Sequence, residues 1–316
     1  MQDDLYLRRA SLLLVEGDKA LDLSEMHFRF QTVQQDEESP NNCAIRVWNL
    51  SDDTVKKIKG EFSRVVLQAG YIDAPFGVIF EGTIKQFRLG KEPDGISTYL
   101  DILAADGDLA YNFSVVNRSM SAGTSSGERI AAAVNVMQKD GVSLGKLLIP
   151  DTGGILPRGK VLFGLARGII RSEVQSQGAT WNITNGKVTV TPLDGYLPSE
   201  AVVLTAATGL IGRVEQTEDG MHARCLMNPK LVVGGLIKID NRSINQTEAS
   251  ASAAIDGAQI AYNKYAGLQR FASVAADGLY RIYVAEYVGD TRGPEFFVDI
   301  IGLAVDPATL KVKAFG

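Results

Sequence analysis

The chain has 316 residues, 45% apolar and 22% charged, which suits two or three soluble domains with no need of disulfide or metal staples. Its net charge of −5 argues against a general nucleic-acid binder, which needs a basic face, and no run approaches the roughly 18–20 apolar residues of a membrane helix. Of the 32 basic and 37 acidic residues, nine and six fall within 111–200 and 23 and 31 outside it, so a mildly basic middle lies between acidic flanks.

The start, MQDDLYLRRASLLLVEGD, lacks the basic start and long apolar stretch of a signal peptide, because its apolar run Leu12–Val15 stops at Glu16. The expectation is a protein made and kept inside a cell, with Cys43 and Cys225 reduced and packed rather than paired. The first third reads as β-structure. Ala44, Arg46 and Trp48 alternate with Ile45 and Val47, then Ser51 caps a short helix through Val55 and Ile58 that Gly60 ends. FSRVVLQAGY and GVIFEGTIKQFRLG follow as strands, KEPDGIS turns, and TYLDILAADG returns.

In the middle, Ser125 and Glu128 have capping-box spacing before a helical face of Ile130, Val134 and Met137. GILPRGKV is a loop, and a second helix from about Leu162 to Gln177 groups Leu162, Leu165 and Ile169 before Gly178. TWNITNGKVTVTP predicts a hairpin, since Asn185-Gly186 suits a type I′ turn between Trp181, Ile183, Val188 and Val190. The last third returns to β: alternation around a turn at Glu218-Asp219-Gly220, a strand in KLVVGGLIKID, and then an Ala/Ser-rich stretch at 246–277 of weak periodicity. Two strands around a turn, GLYRIYVAEYVGDTRGPEFF, come next.

A faint repeat joins the two ends. GVIFEGTIKQFRLGKEPDGISTYLDILAADG and GLYRIYVAEYVGDTRGPEFFVDIIGLAVD both start on Gly, turn on Gly, Asp and Pro, and return on an aromatic-rich strand. YLDIL at 99–103 matches FVDII at 297–301, with Asp101 and Asp299 in register. This predicts a duplicated β-domain around an α+β unit, with chance likeness between amphipathic hairpins as the rival.

Catalytic patterns are absent. His27 and His222 are the two histidines; His222 lies three residues before Cys225, a spacing without the orienting group a Cys–His pair needs. Two Cys and two His this far apart lack zinc-finger spacing, and neither a phosphate-binding loop nor a nucleophile elbow occurs. DTGG at Asp151 has no second aspartic-protease triplet to match it, and Asp52–Asp53 and Glu37–Glu38 lie in polar segments where solvation explains them. A carboxylate dyad assembled by the fold stays open. The chain reads as non-enzymatic, without a cofactor or metal.

Three stretches in order, AIRVWNLSDDTVKKI with VVLQAGY and IFEGTIKQF, then GATWNITNGKVTVTP, then GLYRIYVAEYVGDTRGPEFF, resemble the baseplate hub proteins of contractile-tailed bacteriophages, the family of the Mu and T4 hubs and the late-control-D group. Where many relatives carry Trp after the G-D-T-R-G turn, this chain has Pro-Glu-Phe-Phe. The resemblance implies a mainly β, α+β fold: a tail-tube-like β-barrel domain at 1–110, an α+β domain at 111–198, and a second tube-like barrel at 199–316 with the 246–277 insertion. It implies a homotrimer of pseudo-sixfold symmetry in the virion tail, assembled in the host cytoplasm. The implied partners are a separate central spike, the tail tube, the tape-measure protein and the baseplate wedge, with DNA passing through an acidic lumen without specific binding. The ring-building hairpins would be Gly289, Asp290, Thr291, Arg292, Gly293 and Tyr280 in one copy, and Phe87 and Tyr99 in the other. Other readings stay open on the residues: the hub of a related injection or secretion machine, a flexible-tail tip protein, a peptidoglycan hydrolase in the middle domain, or a carbohydrate-binding β-protein.

Overall fold

The computed structural model describes residues 7–149, 154–217, 220–239, 244–246, 278–306, 309 and 311–312. Strands β1 (Arg8–Glu16), β2 (Lys19–Asp22), β3 (Phe28–Gln35) and β4 (Asn42–Trp48) come first. In β3, Phe28, Phe30 and Thr32 are buried while Arg29 and Gln31 face out, the period of two that a half-buried strand requires. Ser51 caps helix α1 (Asp52–Glu61) by accepting the Thr54 N–H, with Asp52 and Asp53 in the first turn and Val55 and Ile58 inward. The helix continues past Gly60. Strands β5 (Arg64–Tyr71), β6 (Phe76–Lys91) and β7 (Thr98–Ala105) complete an N-terminal β-unit.

The middle unit contains α2 (Asp108–Phe113), β8 (Val115–Met120), α3 (Ser126–Met137), β9 (Ser143–Leu147), β10 (Lys160–Leu165), α4 (Ala166–Gln175), β11 (Ala179–Thr184) and β12 (Lys187–Pro192). Ser125 and Glu128 form the full capping box of α3. Asn185 and Gly186 both take positive φ, 52° and 70°, as a type I′ turn demands. The turn sets Trp181 opposite Val190 and Ile183 opposite Val188, all four buried. The second helix starts later than the sequence suggests. Residues 160–165 pair as a strand with β8, with Leu162 buried between exposed Val161 and Phe163. The inward helical face is then Ala166, Ile170 and Val174. A short apolar run fits both periods, and pairing with β8 decides between them.

The C-terminal β-unit contains β13 (Val202–Leu204), β14 (Leu210–Thr217), β15 (Gly220–Leu226), β16 (Leu236–Ile239), β17 (Ile244–Gln246), β18 (Leu279–Asp290) and β19 (Phe296–Ala304). Glu218 and Asp219 of the expected turn, and 247–277 of the Ala/Ser-rich stretch, lie outside the described residues.

The expected pair of β-barrels is not what forms. Among the described residues no sheet closes on itself. One 14-stranded sheet runs β17-β14-β15-β19-β18-β3-β4-β7-β6-β5-β1-β2, with β16 on β18 and β13 on β16. The reason is β3, one of whose edges is taken by β18 of the other β-unit. An edge used to join the units cannot also close one of them into a barrel. The main core accordingly spans both units, from Leu12, Phe28 and Ile102 to Met221, Tyr287 and Ile300. The middle unit has its own core around Trp181, Ile130 and Ile170.

Candidate functional site

The repeat is legible rung by rung. The two β-units share one strand order, β3-β4-β7-β6-β5 and β14-β15-β19-β18-β16. Asp101 lies opposite Arg88, and Asp299, 198 positions later, lies opposite Glu286, also 198 later. The bulge between Ile84 and Gln86 recurs between Ile282 and Val284 at the same displacement. Bulges re-aim a strand and fix register, so their coincidence is a stronger sign of duplication than matching apolar residues.

Each unit also carries the same clamp. Arg46 on β4 donates to both Asp101 carboxylate oxygens, at 2.7 and 3.1 Å, and lies 3.8 Å from the Tyr99 ring centroid. Arg224 on β15 donates to both Asp299 oxygens, at 2.7 and 2.9 Å, and lies 4.1 Å from the Phe297 ring centroid. A guanidinium fork suits this bidentate and stacked arrangement, and the carboxylate bonds raise both arginines above their ordinary pKa. Arg46 has an additional partner, Glu92 at 3.0 Å, which also accepts from the Trp48 indole at 2.9 Å. Arg29 pairs with Glu295 at 2.9 Å. Arg29, Arg46 and Arg224 on the exposed face of the joined sheet are thus each neutralised by a carboxylate.

The units meet along a seam in which Val284–Asp290 of β18 pairs antiparallel with Arg29–Gln35 of β3. The G-D-T-R-G turn extends it. The Thr291 N–H donates to the Phe28 carbonyl at 3.0 Å, and the Thr291 hydroxyl accepts the Phe28 N–H at 3.1 Å. One Asp290 oxygen accepts the N–H groups of Arg292 and Gly293, at 2.8 and 2.7 Å, and bonds His27 Nε2 at 2.9 Å. Burial pushes the Asp290 carboxyl up, but these partners outweigh it and hold it below its ordinary pKa. His27 is stacked on Trp48, with centroids 4.2 Å apart. Gly289 is required by packing: a Cβ there would come within 2.3 Å of the Phe30 ring. The Gly293 carbonyl accepts from Arg8 at 2.9 Å, and Gln31 donates to Glu286 across the seam at 2.5 Å.

A buried junction ties in the middle unit. Asp36, just past β3, pairs with Arg281 of β18 and accepts from Asn182 of β11 at 3.0 Å. Both ions are almost fully buried, and Asp36 also donates its N–H to the Tyr283 carbonyl at 3.0 Å. Nearby, Asp106 accepts the Gly186 N–H at 2.9 Å, and burial raises its carboxyl to about 7 against the pull of that bond.

The structure therefore gathers Gly289, Asp290, Thr291, Arg292 and Gly293 at one end of the seam. Tyr280 lies at the other end of β18, buried against β16 and β19. Phe87 and Tyr99 sit on the first unit's β6–β7 hairpin, with Phe87 opposite Ile102 and Tyr99 under Arg46, and β4 lies between that hairpin and the β18–β3 seam. The seam itself, both arginine clamps and the Asp36 junction escaped sequence reasoning. Only the in-register Asp101 and Asp299 pointed toward them. Cys43 and Cys225 are free and buried, each thiol pushed up to about 12 by burial. His222 and Cys225 are three apart on β15, so their side chains leave opposite faces. Glu38 pairs with Arg171 rather than with Glu37. Among the described residues there is no cluster of three metal-ligating side chains and no helix long and apolar enough to cross a membrane; Asp151, Thr152 and Gly153 lie outside them.

No family model and no curated protein matches the sequence. Solved structures do match the fold. The prophage MuSo2 43 kDa tail protein from Shewanella oneidensis aligns with a TM-score of 0.53 at 8% identity, over 96% of this chain and 98% of that one. The fold is shared with phage tail proteins. A tail protein from Neisseria meningitidis MC58 gives the same TM-score at 10% identity, covering 94% of this chain and 96% of its own. So does the E. coli c3393 protein, a component of the type VI secretion system with structural similarity to the T4 tail proteins gp27 and gp5; it is 10% identical, over 92% of this chain and 76% of that one.

Proposed function

We propose that this chain is the structural hub of a phage tail. Three copies form a ring of pseudo-sixfold character between the tail tube above and a central spike below, with the wedge proteins outside. The observation that carries this reading is the internal repeat, two β-units of one order and register within one sheet, so that three chains supply six tube-like units. Genome and tape-measure protein pass through the ring. Three arginines of the polar sheet face support this: Arg29, Arg46 and Arg224 are each already bound to a carboxylate, which leaves those three unavailable to grip phosphates. The work is pairing and positioning, with no catalytic step.

The second reading is the hub of a contractile injection or secretion machine, favoured by the fold shared with the secretion-system component from E. coli. Light scattering and electron microscopy of the full chain, alone and mixed with candidate spike and tube proteins, test both. The expected result is a trimer with six similar lobes around a channel. A chain that stays monomeric with every candidate partner overturns the reading, and the genes beside it, tape measure and spike or secretion apparatus, separate its two forms.

A further inference from the structure

The repeat leaves one seam unmade. In the C-terminal unit, β18 spends its first residues on β16 and its last seven, Val284–Asp290, on β3. In the N-terminal unit, β6 spends its first half on β5, up to Thr83. Its second half, from Lys85 to Lys91, pairs with β7 on one side and with no strand on the other among the described residues. The equivalent rungs differ accordingly. Tyr287 is 1% exposed, whereas Leu89, displaced by 198 positions, is 55% exposed.

The strand equivalent to β3 is β14, which lies outside β15 as β3 lies outside β4. Matching Arg46 to Arg224 through their partner strands places Gln31 on Glu215, Thr32 on Gln216 and Val33 on Thr217. Within one chain β6 and β14 are far apart in the strand order. We infer that the free half of β6 pairs antiparallel with β14 of a second copy, in the register of the β18–β3 seam: Arg88 opposite Thr217, Leu89 opposite Gln216 and Gly90 opposite Glu215. This inference rests on the hub reading and specifies how its copies join.

Charge supports it. In the internal seam Gln31 bonds Glu286 diagonally across the ladder. Carried to the second seam, the same two rungs hold Glu215 and Arg88, which are of opposite sign. Both are exposed, and neither enters an ion pair among the described residues; Arg88 bonds only its neighbour Gln86, at 3.2 Å. In the free chain β14 is covered at Val214–Gln216 by β17, a three-residue parallel strand. In this register Arg88–Lys91 meets Val214–Thr217, four antiparallel rungs of better geometry than the three parallel ones of β17, so β17 acts as a cover that yields its place on assembly and keeps the edge from indiscriminate pairing meanwhile.

The test uses the full chain under the conditions in which it assembles. Leu89→Cys combined with Gln216→Cys, oxidised with copper-phenanthroline, should give chain-to-chain disulfides that accumulate as trimers on non-reducing gels, since directly opposite rungs suit disulfide geometry. Ile96→Cys in place of Leu89→Cys should give none. Arg88→Glu should weaken assembly by roughly tenfold or more, and Arg88→Glu with Glu215→Arg should restore it. A trimer that forms without the cross-link, or a charge swap that fails to rescue, overturns this seam and leaves the hub reading standing. Absence of any trimer removes the hub reading and the seam with it.

Discussion

Tyr287 and Leu89 stand on equivalent rungs of two like hairpins, yet one is buried beside β3, with its hydroxyl on the Leu231 carbonyl, and the other faces solvent. The same contrast holds along the strand. Gly289 is pressed against Phe30, while its counterpart Lys91 is exposed. The backbone ladder and the bulge are equal in the two hairpins, so the difference in burial comes from what lies beside them. A duplicated edge has kept its geometry in both copies and its covering strand in one.

The largest effect should come from the rung that separates them. Tyr287→Ala removes a buried ring and its 2.5 Å bond to the Leu231 carbonyl, which should cost about 3–5 kcal/mol by denaturant unfolding. Leu89→Ala should cost less than about 0.5 kcal/mol in the free chain and impair assembly instead. Equal losses in the two variants would mean that Leu89 is already packed in the monomer, and the contrast would collapse.

Asp106 separates the units chemically, because the position 198 residues later is Ala304. Burial, working against the Gly186 and Asn185 N–H groups, raises its carboxyl from 3.8 to about 7. The folded chain therefore keeps a proton there that the unfolded chain releases near pH 4. The stabilising contribution is full below about pH 4 and is lost as pH rises through about 7, an amplitude of ~4 kcal/mol. Asp106→Asn keeps an oxygen to accept both N–H groups and should flatten that decline, making the variant more stable than the parent at pH 8 and near parity at pH 4. Unfolding midpoints across that range check it; parallel pH profiles would show that the site is wetter than its burial implies.

Local chemistry made much of this visible in the sequence. Ser51, Ser125 with Glu128, and Asn185-Gly186 each act through bonds made within a few residues, and their caps and turn form where expected. The in-register Asp101 and Asp299 revealed the repeat because both sit at matching points of similar strands. The expected barrels do not form, for the converse reason. Whether a strand edge closes its own sheet or joins another depends on contacts such as Val284 with Gln35, between segments about 250 positions apart that share no local pattern. The arginine clamps were hidden in the same way, since Arg46 and Arg224 lie on strands remote from their carboxylates, and the later start of α4 turned on pairing with β8 that periodicity does not report.

The smallest effect distinguishes the two clamps. Arg224 and Asp299 are half- and one-third exposed, so their coupling in a double-mutant cycle of Arg224→Ala and Asp299→Ala should fall within about 0.2–1 kcal/mol and shrink in high salt. Arg46 is less exposed and also serves Glu92, which in turn holds the Trp48 indole. Its cycle with Asp101→Ala should therefore give the larger coupling and the weaker salt response, because a network shares the entropy of ordering one guanidinium among several partners. Trp48 also stacks on His27, which is bonded to Asp290 at the end of the seam, so the N-terminal clamp connects through a chain of side-chain contacts to the joint between units. If Arg224 couples as strongly as Arg46, that connection adds nothing measurable, and the two clamps are equivalent relics of the duplication.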